Sequence, residues 1–107
     1  MEVTTRCYNN NILQNFPTIN DPNLSLVTKT TSIKLFGENC IVNKPPSTGG
    51  EDFSEFSNII PGVMVNLGVK NTNTNYPHHH DLFDVDEDAL ETGVALYSQF
   101  ALDFLNI

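Results

Sequence analysis

The feature that most constrains the fold is an apolar stripe at helical spacing near the C-terminus. Its members recur at intervals of four and three residues: Leu90, Val94, Tyr97, Ala101 and Phe104. Such spacing places side chains on one side of a helix. Acidic residues crowd the first turn, where the helix dipole favours negative charge. The pattern predicts a helix over residues 86–105, about 30 Å long at roughly 1.5 Å per residue.

A second helix is predicted to begin at Asp21 and Pro22, because Asp is a good N-cap and Pro suits the first helical position. Its end is predicted at Gly37. The residues expected on its apolar stripe are Leu24, Val27, Thr31 and Leu35. The threonines of this segment weaken the helical signal, since β-branched side chains lose freedom in a helix.

The remaining segments favour a layered α/β arrangement. Strands are predicted over residues 2–8, 40–42 and 63–69, and a short helix over residues 51–57. The last of these strands is mostly apolar without clean alternation, which is typical of a strand covered on both faces. Alternation of strands and helices along a chain indicates an α/β fold.

Length and charge exclude several function classes. The 107 residues correspond to one domain or part of one, and a hydrophobic content of 39% predicts a packed core. The net charge is -8, with thirteen acids, five bases and no Lys/Arg cluster, so neither nucleic acid nor an anionic membrane is an expected partner. Cys7 and Cys40 lie 33 positions apart, which indicates reduced cysteines and a cytoplasmic location.

The three histidines of the chain are consecutive, at positions 78 to 80. Imidazole is a common ligand for zinc and similar ions, although a solvated surface loop has the same composition. In an extended segment side chains alternate, so the ion would have a single ligand in His79 or a pair in His78 and His80. Both alternatives remain open on these grounds. A catalytic zinc usually has three protein ligands, and Glu51 and Asp52 are the other candidates.

Glu51 and Asp52 follow two glycines, Gly49 and Gly50, that would permit unusual backbone conformations and close approach to a ligand. The plainer interpretation is a turn followed by carboxylates at the start of a short helix. Adjacent acids seldom act on one substrate from one face, which argues against a catalytic pair. The six acids between residues 81 and 91 indicate a solvated helix start, because the spacing of a calcium loop is not completed.

Four separated motifs, at residues 16–22, 46–54, 61–68 and 76–90, appear in an order that resembles the C-terminal part of a metal-dependent amidohydrolase. This family includes hippurate hydrolase, indole-acetyl-amino-acid hydrolase, and related aminoacylases and carboxypeptidases. The resemblance covers most of the chain, from about residue 16 to residue 105.

The resemblance implies a domain organisation and a reaction. Residues 1–16 would be the end of a lid domain that commonly mediates homodimerisation, and residues 17–107 the C-terminal segment of an α/β catalytic domain. Complete members hold two divalent metals, zinc or manganese, and hydrolyse the amide of a small N-acyl-amino acid or peptide. A metal-bridging water attacks the carbonyl, and a Glu acts as general base.

The same resemblance assigns site residues. It implies that His79 is a metal ligand, four residues before Phe83, although His80 and Asp81 stand where the family usually has a small residue and Pro. His78 is therefore the alternative ligand. Gly50 and Glu51 are expected near the substrate.

No catalytic residue is assigned to this chain, because the other ligands and the general base belong to the family's N-terminal half. We therefore expect an enzyme fragment that is inactive alone. The alternative is a stand-alone acidic interaction or regulatory module that kept the scaffold and lost the chemistry.

Overall fold

The first helix begins and ends where the sequence predicts. In the computed structural model, which describes residues 16–107, helix α1 spans Pro22–Phe36. The side chain of Asp21 accepts the N–H of Leu24 at 2.9 Å and so caps the N-terminus. Gly37 ends the helix with a φ of 88°, a left-handed conformation that glycine adopts without steric cost, and its N–H donates to the carbonyl of Ile33 at 2.8 Å.

The buried face of α1 carries hydroxyl groups: of the residues predicted on its apolar stripe, Thr31 is buried, whereas Leu24, Val27 and Leu35 are not. The buried residues of the helix are Ser25, Thr28, Thr31 and Ser32. Thr28 donates its hydroxyl to the carbonyl of Leu24, and Ser32 donates to that of Thr28, each at 2.8 Å. Back-bonding of this kind satisfies a hydroxyl within its own helix, and the side chains are short. The helix can therefore turn its polar stripe inward, while Leu35 stays exposed.

The other two helices also confirm the sequence pattern. Helix α2 spans Phe53–Ser57, inside the predicted range of residues 51–57. Helix α3 spans Asp88–Leu105, two residues shorter at its start than predicted. None of the helices described is both long and apolar enough to cross a membrane.

The predicted strands are not found in the part of the chain that the structure describes. Glu38–Cys40 is a 3₁₀ turn, and residues 41–42 and 63–69 have no regular structure. Isolated bridge positions occur at Thr18 and Ser47. A strand exists only as a partner in a hydrogen-bonded ladder, and no ladder forms among residues 16–107. The strand predicted over residues 2–8 lies outside the described residues.

The packed core expected from composition is also absent from residues 16–107, where no hydrophobic side chain is buried. Besides the four hydroxyl residues of α1, the buried residues are Thr18, Asn20 and Ser54. The chain divides into two compact units, Met1–Asn66 and Leu67–Ile107. The division into residues 1–16 and 17–107 stays a prediction.

Within the first unit, the segment before α1 is tied to the segment after α2. The backbone N–H of Asp21 donates to the carbonyl of Gly62 at 2.9 Å, and the Asn20 side chain bonds the backbone of Met64. The Phe53 ring lies over Gly62, since a Cβ built there would be 2.8 Å from the ring's Cζ. The residues before α1 are thus held against the segment after α2, and the start of α2 packs on the same segment.

Within the second unit, residues 67–69 lie against the start of α3. The N–H of Asp86 donates to the carbonyl of Val69 at 2.8 Å. Gly93 allows close approach of Leu67, whose Cδ2 would be 3.2 Å from a Cβ at that position. The histidine segment connects these two elements along the chain.

Candidate metal-ligand loop

The histidine segment forms two consecutive turns. The N–H of His80 donates to the carbonyl of Pro77 at 3.2 Å, and the N–H of Phe83 donates to the carbonyl of His80 at 3.0 Å. The segment is therefore not extended, and the premise that its side chains alternate in direction is wrong. Hydrogen bonds between residues three apart reverse the backbone direction. The directions of the side chains are therefore set by the turn and do not alternate as they would in a strand.

His79 occupies the third position of the first turn with a φ of 66°. It is the one residue other than glycine with a positive φ among residues 16–107. Glycine or asparagine is usual at a turn position with positive φ, because a Cβ there crowds the backbone at a cost of about 1–2 kcal/mol. Strain of this kind persists only where surrounding contacts impose it, and it is concentrated at functional sites.

Both flanking histidines have ring contacts within the loop. The His80 ring stacks on Tyr76 with centroids 4.5 Å apart and planes inclined by 20°. Its Nδ1 accepts the backbone N–H of Leu82 at 3.0 Å. The His78 ring meets Phe83 edge to face, with centroids 4.9 Å apart. These contacts brace the turn on both sides of His79.

The Nδ1 atom of His80 has two neighbours that require opposite protonation states. Accepting the Leu82 N–H needs an unprotonated Nδ1, whereas the Asp81 carboxylate, 3.2 Å away, would need a protonated one. The backbone contact is shorter, and the Asp81 side chain is almost fully exposed to water, which weakens an ion pair. We therefore assign Nδ1 as the acceptor for Leu82.

His79 differs from its neighbours in having no hydrogen bond, ion pair or ring contact within the described part of the chain, and it is exposed. Neither ring nitrogen is engaged, so the imidazole can offer a lone pair to an ion. No group of three or more His, Cys, Asp or Glu side chains suited to hold a metal occurs among residues 16–107. A role for His79 as a metal ligand stays a prediction.

The glycine-acid loop belongs to the first unit, and its geometry is that of a helix start. The Glu51 carboxylate accepts the N–H of Phe53 at 3.2 Å, and the buried Ser54 hydroxyl donates to the Glu51 carbonyl at 3.2 Å. Gly49 and Gly50 are exposed, and neither has a positive φ. These contacts agree with the part of the plainer interpretation that places a carboxylate at the start of a short helix, whereas no turn is formed at residues 48–51 and Asp52 makes no side-chain capping bond. A role for Gly50 and Glu51 in substrate binding stays a prediction.

Two contributors were not identified from the sequence. Tyr76 supports the histidine loop through its stacking contact, and buried Asn20 joins two segments of the first unit. An aromatic residue four positions before a histidine, with a proline between them, is a weak signal for the first contact. No local signal distinguishes a buried asparagine from a solvated one.

Comparison with known proteins identifies similar sequences. The profile of a family described as Peptidase family M20/M25/M40 matches residues 8–103. IAA-amino acid hydrolase ILR1-like 2 of Arabidopsis thaliana is 33% identical over 90 residues, which are 83% of this chain and 20% of that protein. Thermostable carboxypeptidase 2 of Saccharolobus solfataricus is 35% identical over 91 residues, which are 83% of this chain and 22% of that protein.

A third similar protein is the probable hydrolase sll0100 of Synechocystis sp., which is 33% identical over 101 residues. The match covers 91% of this chain and 26% of that protein. The chain therefore spans about a fifth to a quarter of the length of these curated relatives.

Proposed function

Since this chain belongs to peptidase family M20/M25/M40, we propose that it supplies the C-terminal segment of the catalytic domain of a metal-dependent amidohydrolase. The substrate class is an N-acyl-amino acid or a peptide-like linear amide, in keeping with the hydrolase and carboxypeptidase names of its relatives. Family membership implies an α/β hydrolase-like domain, of which residues 16–107 form a mostly helical portion.

The observation that carries the proposal is the state of His79. It stands four residues before Phe83, adopts a left-handed backbone conformation, and has no competing contact in the described part of the chain. His78 and His80 are both occupied by ring contacts. We therefore propose His79 as the metal ligand in preference to His78.

A divalent cation such as zinc or manganese, when bound, would lower the pKa of a coordinated water and polarise the substrate carbonyl. The role of this chain is to present one neutral imidazole from a braced turn. Glu51 and Gly50 contribute a second segment, which we propose lies beside the substrate in the assembled domain. The remaining donors and the general base would come from the part of the catalytic domain that this chain does not match.

The apolar side of α3 supports the view that this segment works as part of a larger domain. Its exposed large residues are Leu90, Val94, Tyr97, Leu102, Phe104 and Leu105. Tyr97 is 83% exposed and Val94 is 67% exposed, although helical spacing places them on the stripe that normally faces a core. We propose that polypeptide of the complete catalytic domain covers this side, and that the chain alone has no hydrolytic activity.

Two further features of the function are proposals. Free Cys40 and the wide spacing of the two cysteines favour a reducing, cytoplasmic location. The complete enzyme is proposed to form a homodimer through its lid domain, by likeness to the family.

The test is a chimera in which residues 16–107 replace the matching segment of Thermostable carboxypeptidase 2. The chimera is expected to hydrolyse hippuryl or N-acetyl amino acids when zinc or manganese is supplied. The His79→Ala change should lower kcat/KM about 100-fold or more, because a catalytic metal loses one of its few protein ligands. His78→Ala is the matched control and should stay within a few-fold.

Equal losses of kcat/KM in His79→Ala and His78→Ala would mean that the experiment does not favour His79 over His78 as the ligand. Activity that survives His79→Ala would defeat the assignment. Hydrolysis by the 107-residue chain alone would contradict the proposed inactivity. A chimera that folds and binds metal but never hydrolyses an amide would favour the alternative, an acidic interaction module on the same scaffold.

A further inference from the structure

His79 has a backbone conformation that favours glycine, and the residue that follows it, His80, is fixed by two contacts. The His80 ring is held at two points, against the Tyr76 ring at 4.5 Å and by the Leu82 N–H at 3.0 Å. Through His80, these contacts connect Tyr76, which precedes the first turn, to Leu82, which lies in the second turn. They close the loop around His79, whose φ is 66°.

We infer that His80 is a positioning residue, which acts with Tyr76 to hold His79 in the left-handed conformation. The inference rests on the proposed function for its consequence, the presentation of one imidazole to a metal, but its structural content is independent of metal. A histidine at a position suited to glycine returns to ordinary backbone conformations once its restraints are removed.

The hydrogen bond of His80 has the geometry of an Asx turn, in which a side-chain acceptor bonds the N–H two residues later. Asparagine places an acceptor oxygen at the same point, so it should retain the bond while losing the ring and its stack on Tyr76. Phenylalanine should retain the stack on Tyr76 while losing the acceptor. The two substitutions therefore test the Leu82 bond and the Tyr76 stack separately, and each keeps a side chain larger than alanine at this position.

The experiment uses the full 107-residue chain labelled with ¹⁵N and ¹³C. A strong intraresidue NOE between the amide proton and Hα of His79 reports its positive φ, because those two protons are close only in that conformation. In His80→Ala, the left-handed population of His79 should fall about tenfold, as expected when an unrestrained residue pays the steric cost of that region. His80→Asn, which keeps the bond to Leu82, and His80→Phe, which keeps the stack on Tyr76, should each restore part of the signal.

Asp81→Asn is the matched control. It removes the carboxylate near His80 and leaves the Leu82 hydrogen bond intact, so the His79 signal should not change. A loss of signal in Asp81→Asn would reassign the restraint to an ion pair. Unchanged signal in His80→Ala would overturn the positioning role, and failure of His80→Asn to restore it would exclude the Leu82 bond as the restraint. The chemical shifts of α3 identify any variant that has lost its fold.

The chimera described above separates this inference from the proposed function. His80→Ala in the chimera should lower kcat/KM about tenfold, with recovery in His80→Asn, if His79 is the ligand. Where His80→Ala removes the left-handed signal in the chain but His79→Ala leaves hydrolysis unchanged, the positioning role stands and the metal role of His79 falls. Where His80→Ala leaves the left-handed signal unchanged but His79→Ala abolishes hydrolysis, the metal role of His79 stands and the positioning role of His80 falls.

Discussion

The side-chain amide of Asn20 pairs with both polar groups of the Met64 backbone. Its Nδ2 donates to the Met64 carbonyl at 2.9 Å, and its Oδ1 accepts the Met64 N–H at 2.8 Å. Asn20 is only 4% exposed. The Asn20 side chain thus satisfies both hydrogen-bonding groups of one backbone residue, as a neighbouring strand would in a sheet. The two residues are 44 positions apart in the sequence.

Removal of this amide should destabilise the first unit. We expect Asn20→Ala to lower the free energy of unfolding by about 1–3 kcal/mol, because it leaves partly buried backbone groups of Met64 without partners. Asn20→Asp should cost at least as much, since a carboxylate oxygen would then face the Met64 carbonyl. Urea unfolding monitored by circular dichroism measures both. The exposed Asn43 is the control, and Asn43→Ala should stay within about 0.5 kcal/mol.

Gly62 should not tolerate a side chain. A Cβ at this position would lie 2.8 Å from Cζ of Phe53, so the ring or the backbone would have to move. We expect Gly62→Ala to lower the free energy of unfolding by about 1–3 kcal/mol, the usual cost of overpacking. Gly68→Ala is the control, because nothing lies within 4 Å of its Cβ position. Equal effects of the two changes in thermal melting would contradict the contact.

The strained conformation of His79 predicts a conflict between stability and function. His79→Gly should raise the free energy of unfolding by about 1 kcal/mol, because glycine adopts a φ of 66° freely. The same change should abolish hydrolysis by the chimera. His78→Gly has no such strain to relieve and should instead lower stability, in part through the lost contact with Phe83. A stabilised His79→Gly chimera that keeps its activity would refute the ligand assignment.

The apolar side of α3 should behave differently in the isolated chain and in the chimera. Val94→Lys with Tyr97→Lys should leave the isolated chain within about 0.5 kcal/mol and should reduce its binding of an apolar dye, because both side chains are exposed and Lys favours helices. In the chimera the same pair should lower the melting temperature markedly, because two charges would be buried. Ser98→Lys is the control on the same helix, and it should be neutral in both proteins.

The sequence predicts both ends of α1 correctly, and it does not predict the irregular segments or the buried side of that helix. Asp21 and Gly37 act through bonds to residues three and four positions away, so their effect is visible locally. The segment at residues 63–69 has a strand-like composition, but a strand depends on a partner that no local pattern supplies. The buried stripe of α1 was misassigned because Thr28 and Ser32 satisfy their hydroxyl groups inside the helix.

The same distinction applies to the candidate site. By resemblance to the family, the spacing between His79 and Phe83 favours His79 as the ligand and leaves His78 as the alternative, and this stays a prediction. The turns around it were not predicted, since a positive φ is normally indicated by glycine or asparagine rather than by histidine. The contacts of Tyr76 and Asn20 depend on three-dimensional neighbours, which composition and periodicity do not encode.

The inward-facing hydroxyls of α1 have a calorimetric consequence. Unfolding of this helix exposes buried serine and threonine side chains to water, and it exposes little buried hydrocarbon. The heat capacity of unfolding rises mainly because hydrocarbon becomes hydrated. Unfolding of the isolated chain should therefore raise the heat capacity by less per residue than unfolding of a protein with a hydrocarbon core. In a complete domain that covers α3, unfolding would also expose the apolar side of that helix, so the increase in heat capacity per residue should be larger.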